Sequence, residues 1–522
     1  MNRTRLVLAG VLVALGAACG EALKPAGTLI ANVTVYDGSG GEGEVTTIRI
    51  LGDRIAAIGD LRPEADEWYI DGTGLALAPG FIDTHSHADG ELFIERESQS
   101  GGQVLGHRDA LAAVNQGITT VVVGQDGGSA FPLADFFGKL ESAPPAVNVA
   151  SYTGHGTLRL AVMGADDYRR TATPAELDSI KTLLYRELDA GALGLSTGLE
   201  YDIAHSASTD EVLALAQATG AEGGRYLSHI RSEDREFWPA IEEIIRIGRE
   251  AAVPVQVSHV KLAMRSLWGK ADSLVAVLDA ARASGVEITA DIYPYTYWQS
   301  TLRVLFPDRN YDDPAAARFA VTEVSSPEGL LLGRWTPDSS YVGKTLAEIA
   351  ALRRTDPATA LIQLIREADA AERAGASSVE SVIATSMDEA DVRHLMQWEW
   401  ANICSDGQLN GRHPRGFGAF TRVLGPYVRE HQVLKLGEAV RKMTSLPARN
   451  VGIRDRGVIR EGAFADLVLF DPATVTDRAT TTDPQATSTG IRMVWVNGEV
   501  VYEDGRTTGR YPGRVLRRQQ AN

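Results

Sequence analysis

His85 and His87 flank a single serine and follow the apolar pair Phe81-Ile82. Alternate residues of a β-strand point to one side, so a strand here aims both imidazoles at one cation. His229 and His259 each follow an apolar run and a serine, Ser228 and Ser258. Either one alone reads as a satisfied buried histidine. Two of them, one strand-and-helix unit apart and beside a His-x-His, read as ligands for a metal such as zinc. Asp406 closes Ile403-Cys404-Ser405 and precedes Gly407. A carboxylate beside a dication stays ionised near neutral pH. It can take a proton from attacking water and pass it to a leaving nitrogen. The chemistry this set predicts is metal-assisted hydrolysis. Glu200 and Asp126 are carboxylates placed to bridge or complete a second metal site, with Glu200 the stronger candidate. His155, between Gly154 and Gly156, is expected behind a ligand or against a substrate; a turn histidine is its plainer reading.

Residues so far apart meet only if the fold gathers them. The middle of the chain alternates apolar strands with amphipathic helices. The strands are expected at 80–84, 119–124, 147–152, 192–197, 225–228, 253–258, 287–290 and 400–404. One helix shows the pattern well. Thr173 can N-cap it, Pro174 suits its first turn, and Glu176 completes a capping box. Leu177, Ile180, Leu184 and Leu188 then recur at helical spacing before Gly191 ends the run. Eight strand-helix units predict a parallel (β/α)8 barrel, in which strand C-termini converge on one face. The candidate residues stand at those ends, and Asp291 ends the seventh strand. The long interval after that strand predicts an insertion over about 300–385, whose helical segments near 346–352 and 358–369 are expected to cover the site.

Both ends of the chain read as short strands. Leu29 to Val35, Thr47 to Ile50 and Arg54 to Ile58 lie at one end, with Ala465 to Phe470, Met493 to Val496 and Val500 to Tyr502 at the other. Asn497-Gly498 between two of them is a hairpin signal. Together they predict a small β-sandwich from residues 27–78 and 451–512, around a barrel spanning 79–450. Residues 1–19 read as an export signal. Arg3 and Arg5 precede an apolar stretch over 6–15, and Gly16-Ala17-Ala18-Cys19 resembles a lipobox with Cys19 as the lipidation site. This predicts an exported, membrane-anchored chain, with contact to the membrane only through that lipid. The net charge of −17 argues against nucleic acid as a partner, since phosphate binding needs a basic face. The only other cysteine is Cys404, so export does not imply a disulfide framework.

Several runs together resemble the amidohydrolase superfamily, and within it the D-aminoacylase (N-acyl-D-amino-acid deacylase) branch. They are Ala78-Pro79-Gly80-Phe81-Ile82-Asp83-Thr84-His85-Ser86-His87, Gly154-His155-Gly156-Thr157-Leu158-Arg159, Gly194-Leu195-Ser196-Thr197-Gly198-Leu199-Glu200-Tyr201 and Ser228-His229-Ile230-Arg231-Ser232-Glu233. Asp291-Ile292-Tyr293-Pro294-Tyr295, Ser405-Asp406-Gly407 and His413-Pro414-Arg415 continue the match, which spans about 27–510. The resemblance implies one or two zinc ions and hydrolysis of the amide in an N-acyl-D-amino acid. His85 and His87 would hold one metal, His229 and His259 the other, with Asp406 as catalytic acid and base. It also implies a cationic clamp on the substrate carboxylate: Lys261, with Tyr201 and Arg415 as companions. The branch carries a cysteine after the second strand, where this chain has Asp126. That leaves the metal count and the bridging ligand open: a carboxylate can still bind zinc, and Glu200 is a candidate bridge in the place other amidohydrolases give to a carboxylated lysine. A dipeptidase for peptides ending in a D-residue and a cyclic-amide hydrolase are the rival chemistries. A non-catalytic binding lipoprotein is disfavoured, because every expected ligand position except the cysteine has a usable side chain.

Overall fold

The computed structural model describes residues 27–93, 96–97, 103–104 and 107–519. Cys19 and the expected export signal lie outside the described residues. Eight parallel strands form the barrel: Phe81–Asp83, Ile118–Val123, Asn148–Ser151, Gly194–Gly198, Arg225–His229, Val255–Val257, Ile288–Ile292 and Ala401–Ile403. Each of the eight expected runs carries one. The third strand resumes as Thr153–Gly154, so it pairs the second strand with its first part and the fourth with its second. The barrel closes where Ser86 bridges Gly407 and the Asp406 N–H donates to the His85 carbonyl at 2.8 Å. Below that seam Ser405 Oγ donates to Asp83 Oδ2 at 2.5 Å, tying the eighth strand to the first.

These strands are buried on both faces, as the continuous apolar run of a parallel sheet requires. Every residue of Ile118–Val123 is buried. The helix Pro174–Ala190 starts on the expected capping box: Glu176 N donates to Thr173 Oγ1 at 3.3 Å and Thr173 N donates to Glu176 Oε2 at 2.7 Å. Ile180, Leu184 and Leu188 face the barrel.

The β-sandwich is one continuous nine-stranded sheet built from both ends of the chain. Ala76–Pro79 pairs antiparallel with Leu467–Phe470, which joins the two halves. Ile30, Ile48, Leu77, Leu469 and Trp495 fill its core. The hairpin turn falls at Asn497-Gly498, both with positive φ (49° and 78°), as a type I′ turn demands.

The insertion differs from expectation in what it turns toward the barrel mouth. Tyr297–Ser300, Leu330–Trp335 and Glu380–Thr385 form a three-stranded antiparallel sheet. Residues of this sheet, Gln299, Ser300, Arg334, Glu380 and Ser381, line the cavity over the barrel. The two expected helices, Leu346–Arg353 and Pro357–Arg373, contribute no lining residue; they bury Ile349, Leu361, Leu364 and Ile365 in the core instead. Among the described residues no helix is long and apolar enough to cross a membrane.

Candidate metal centre

The C-terminal ends of the strands bring four histidines and two aspartates together. His85 Nε2 lies 3.4 Å from Asp126 Oδ1 and 3.6 Å from Asp406 Oδ1. His87 Nε2 lies 3.5 Å from Asp126 Oδ2 and 3.1 Å from Asp406 Oδ1. On the other side His259 Nε2 is 3.4 Å from Asp126 Oδ1 and 3.0 Å from His229 Nδ1. His229 Nε2 is 2.7 Å from Glu200 Oε2. Asp126 therefore stands between the two histidine pairs. Asp126, His259 and Asp406 all have left-handed backbones, with φ of 54°, 35° and 49°. Non-glycine residues rarely adopt this conformation, and its cost is tolerated mainly where it positions functional groups.

The donor set fits a divalent cation. Both ring nitrogens of His85 and Asp126 Oδ1 are buried without a hydrogen-bond partner among the described residues. Buried polar atoms are almost always paired, so His85 Nε2 and Asp126 Oδ1, 3.4 Å apart, fit a cation between them. Imidazole and carboxylate are the ligands zinc takes at such sites.

The charges agree. Burial opposes charge on His87, yet hydrogen bonds to Asp126 and Asp406 carry its pKa up to about 10. Burial and Lys261 oppose charge on His259, yet Glu233 and Asp126 raise it to about 10 as well. Burial alone would raise Asp406, but Arg415 and His85 hold its carboxyl well below the ordinary range. Asp126 is lowered against burial by His85 and His259. Without a metal these carboxylates retain protons on their histidines; a bound cation displaces them.

Above the centre opens a cavity of about 760 Å³, lined by His87, Asp126, Tyr201, Asp406 and Arg415 and walled by the insertion sheet. Burial pushes the Glu380 carboxyl in that wall up to about 7.

An amidohydrolase family model matches residues 69–502. The chain belongs to the amidohydrolase family. It is 38% identical over 508 residues to an N-acyl-D-glutamate deacylase of Alcaligenes xylosoxydans xylosoxydans, covering 93% of this chain and 95% of that one. It is 36% identical over 527 residues to a D-aminoacylase of the same organism, covering 95% and 99%. Among solved structures, the N-acyl-D-glutamate deacylase of Bordetella bronchiseptica, complexed with zinc and a phosphonate inhibitor, superimposes with a TM-score of 0.82. That pair shares 36% identity over 94% of this chain and 99% of the other.

Within this amidohydrolase the two candidate bridging carboxylates are placed differently from one another. Asp126 occupies the middle of the cluster, and Glu200 sits at its rim on His229, grouped with Glu233. The Asp126 backbone turns its short side chain inward, whereas Glu200 reaches only the nearer histidine. Tyr201 lies at the site, its hydroxyl 3.2 Å from His229 Nδ1. Arg415 is buried and ion-paired to Asp406. Lys261 is placed differently from a free clamp. It is buried, and its Nζ lies 2.5 Å from Glu233 Oε1, 2.7 Å from His259 Nδ1 and 3.2 Å from the His259 carbonyl. Its charge thus acts first on the cluster.

His155 is the clear correction among the expected substrate contacts. It is fully buried at the start of helix His155–Met163, with Nε2 2.9 Å from Glu211 Oε1, and Arg159 pairs with the same carboxylate. It lines no part of the cavity. A glycine on each side put it in a turn, and the helix that begins there turned it away from the mouth.

Sequence reasoning gave no role to Glu233 and named Asp291 only as the polar residue that ends the seventh strand. Glu233 lies 3.1 Å from His259 Nδ1 and 3.9 Å from His229 Nε2. Its one signal was its place four residues after His229, where a charged residue reads as solvated loop. Asp291 Oδ1 accepts the His259 N–H at 2.5 Å and the Cys404 thiol at 3.3 Å, and its Oδ2 accepts from Gln256 at 2.5 Å. It braces the sixth strand's histidine from inside the barrel.

Proposed function

We propose that this protein is a zinc-dependent deacylase that hydrolyses an N-acyl-D-amino acid to a carboxylate and a free D-amino acid. The observation that carries the reading is the position of Asp126 between two histidine pairs with Asp406 beside it. The deacylases to which the chain is similar over nearly its whole length support the substrate class. His85, His87 and Asp406 would hold one ion and His229 and His259 a second, with Asp126 between them. Bound zinc would supply Lewis acidity, lowering the pKa of water to about 7 and polarising the amide carbonyl.

The protein's own groups do the rest. Asp406 takes the proton from the attacking water and returns it to the leaving nitrogen. Arg415 keeps that carboxylate ionised between turnovers. The Tyr201 hydroxyl, at the cavity floor, is placed to donate to the oxygen on which negative charge develops. Arg415 lines the cavity beside Asp406 and would be the donor for the substrate's α-carboxylate. The residues before Cys19 support export and lipid attachment, which would put this activity outside the cytoplasm.

The test is an assay of zinc-quantified protein against paired N-acetyl-D- and N-acetyl-L-amino acids, with dipeptides and hydantoins alongside. Release of D-amino acids from the D-series is the expected result. Equal turnover of both enantiomers, or turnover of only dipeptides or hydantoins, would overturn it.

A further inference from the structure

The barrel has a second cavity at its opposite end. About 640 Å³ in volume, it lies where the strands begin. Leu193 and Arg225, at the start of the fourth and fifth strands, line it with residues between 445 and 460 and with Arg518 and Gln519. Six arginines face this space (Arg225, Arg449, Arg454, Arg456, Arg460 and Arg518) against one carboxylate, Asp455. That is a strong local excess of positive charge in a chain of net charge −17.

Two of the six are neutralised: Arg456 by buried Asp466 and Arg460 by Asp455. Of the other four, Arg225 pairs with Glu287 at 4.0 Å, and three have no ion pair among the described residues. Arg449 is exposed and lies over the Trp400 ring at 4.8 Å. Arg518 donates to the Glu222 and Leu188 carbonyls, and its Nε is buried without a partner among the described residues. Arg454 is exposed, with no ion pair or hydrogen bond to any described residue. Solvated arginines are ordinary on a flat surface. Arginines gathered around one cavity repel each other. An anion relieves that repulsion, and the planar fork of guanidinium matches phosphate oxygens two at a time.

We propose that this cavity binds a phosphate-bearing anion. Its volume is in the range of small-molecule sites. The phosphate can belong to a soluble organic phosphate or to a phospholipid headgroup. The site is distinct from the metal centre: Arg225 begins the strand that His229 ends, about 13 Å away along it at the rise of a β-strand. The inference is independent of the deacylase reading.

The experiment is calorimetric titration of the full, zinc-loaded protein with glycerol phosphate, and cosedimentation with phosphatidylcholine vesicles with and without phosphatidylglycerol. Wild type is compared with the R449A/R454A double variant and with R454E. Neither side chain supports the fold through an ion pair, so melting temperature and zinc content should match wild type. The expected result is saturable binding that weakens at least tenfold in both variants and falls with salt. Binding of glycerol phosphate alone identifies a soluble ligand. Binding of the anionic vesicles, displaced by glycerol phosphate, identifies a headgroup. Equal affinity in wild type and variants, or no saturable binding to either probe, would overturn the proposal.

Discussion

Arg415 Nη1 lies 2.7 Å from Asp406 Oδ2, both side chains buried, while Asp406 Oδ1 lies 3.1 Å from His87 Nε2. The two oxygens of one carboxylate thus face different partners. Oδ1 belongs to the histidine cluster, and Oδ2 is held by a guanidinium at the start of helix Arg415–Arg422. The helix fixes the direction in which the base points.

Asp406→Asn should retain zinc and lose turnover by about 10²–10⁴-fold, the usual worth of a positioned acid-base group. Elemental analysis and initial rates on one preparation check this. Unchanged rates would remove Asp406 from its role.

Asp126→Ala should weaken metal binding more than tenfold, because it removes the one carboxylate among the described residues that groups with both histidine pairs. Asp126→Cys should recover much of the affinity, since thiolate is a strong zinc ligand. Competition with a chelator measures both. Equal affinity for Asp126→Ala and wild type would show that the histidines suffice.

His155→Ala should lower stability by about 1.5–3 kcal/mol, the usual worth of a hydrogen bond to a charged group, here to Glu211, which Arg159 still pairs. Its KM should stay at the wild-type value, because the side chain faces away from the cavity. A raised KM with unchanged melting would reverse that assignment.

Glu380 gives the stability a pH dependence. Burial raises its folded pKa to about 7 from an ordinary 4.5. Between those values the folded state holds a proton that the unfolded state has lost, so this group's contribution falls as pH rises from about 4.5 to 7. Glu380→Gln, which keeps an acceptor for the Leu302 N–H, should remove that fall, worth up to about 3 kcal/mol. Denaturant titrations at pH 5 and pH 8 would show it; parallel slopes in the two proteins would refute it.

Cys19 lies outside the described residues, and its expected lipid is checked in cells. Cys19→Ser should move the protein from the detergent phase to the aqueous phase and abolish labelling by a fatty-acid probe. Wild-type protein in the aqueous phase would leave export without an anchor.

The sequence by itself determined the barrel and the face on which its chemistry gathers. Strand runs and capped helices are local patterns, and a parallel barrel sends every strand's C-terminus the same way, so His85, His87, His229, His259 and Asp406 were legible from type and position. Which way each side chain turns just past a strand end was not. There the two-residue alternation stops, and single backbone angles decide direction. A left-handed turn puts Asp126 at the middle of the cluster and leaves Glu200 at its rim, and a helix start carries His155 away. The pairing of Lys261 with Glu233, the insertion sheet over the cavity and the arginines below the barrel were settled only by tertiary structure. Each joins segments far apart in the chain, and no local pattern records what a charged side chain meets across such a distance.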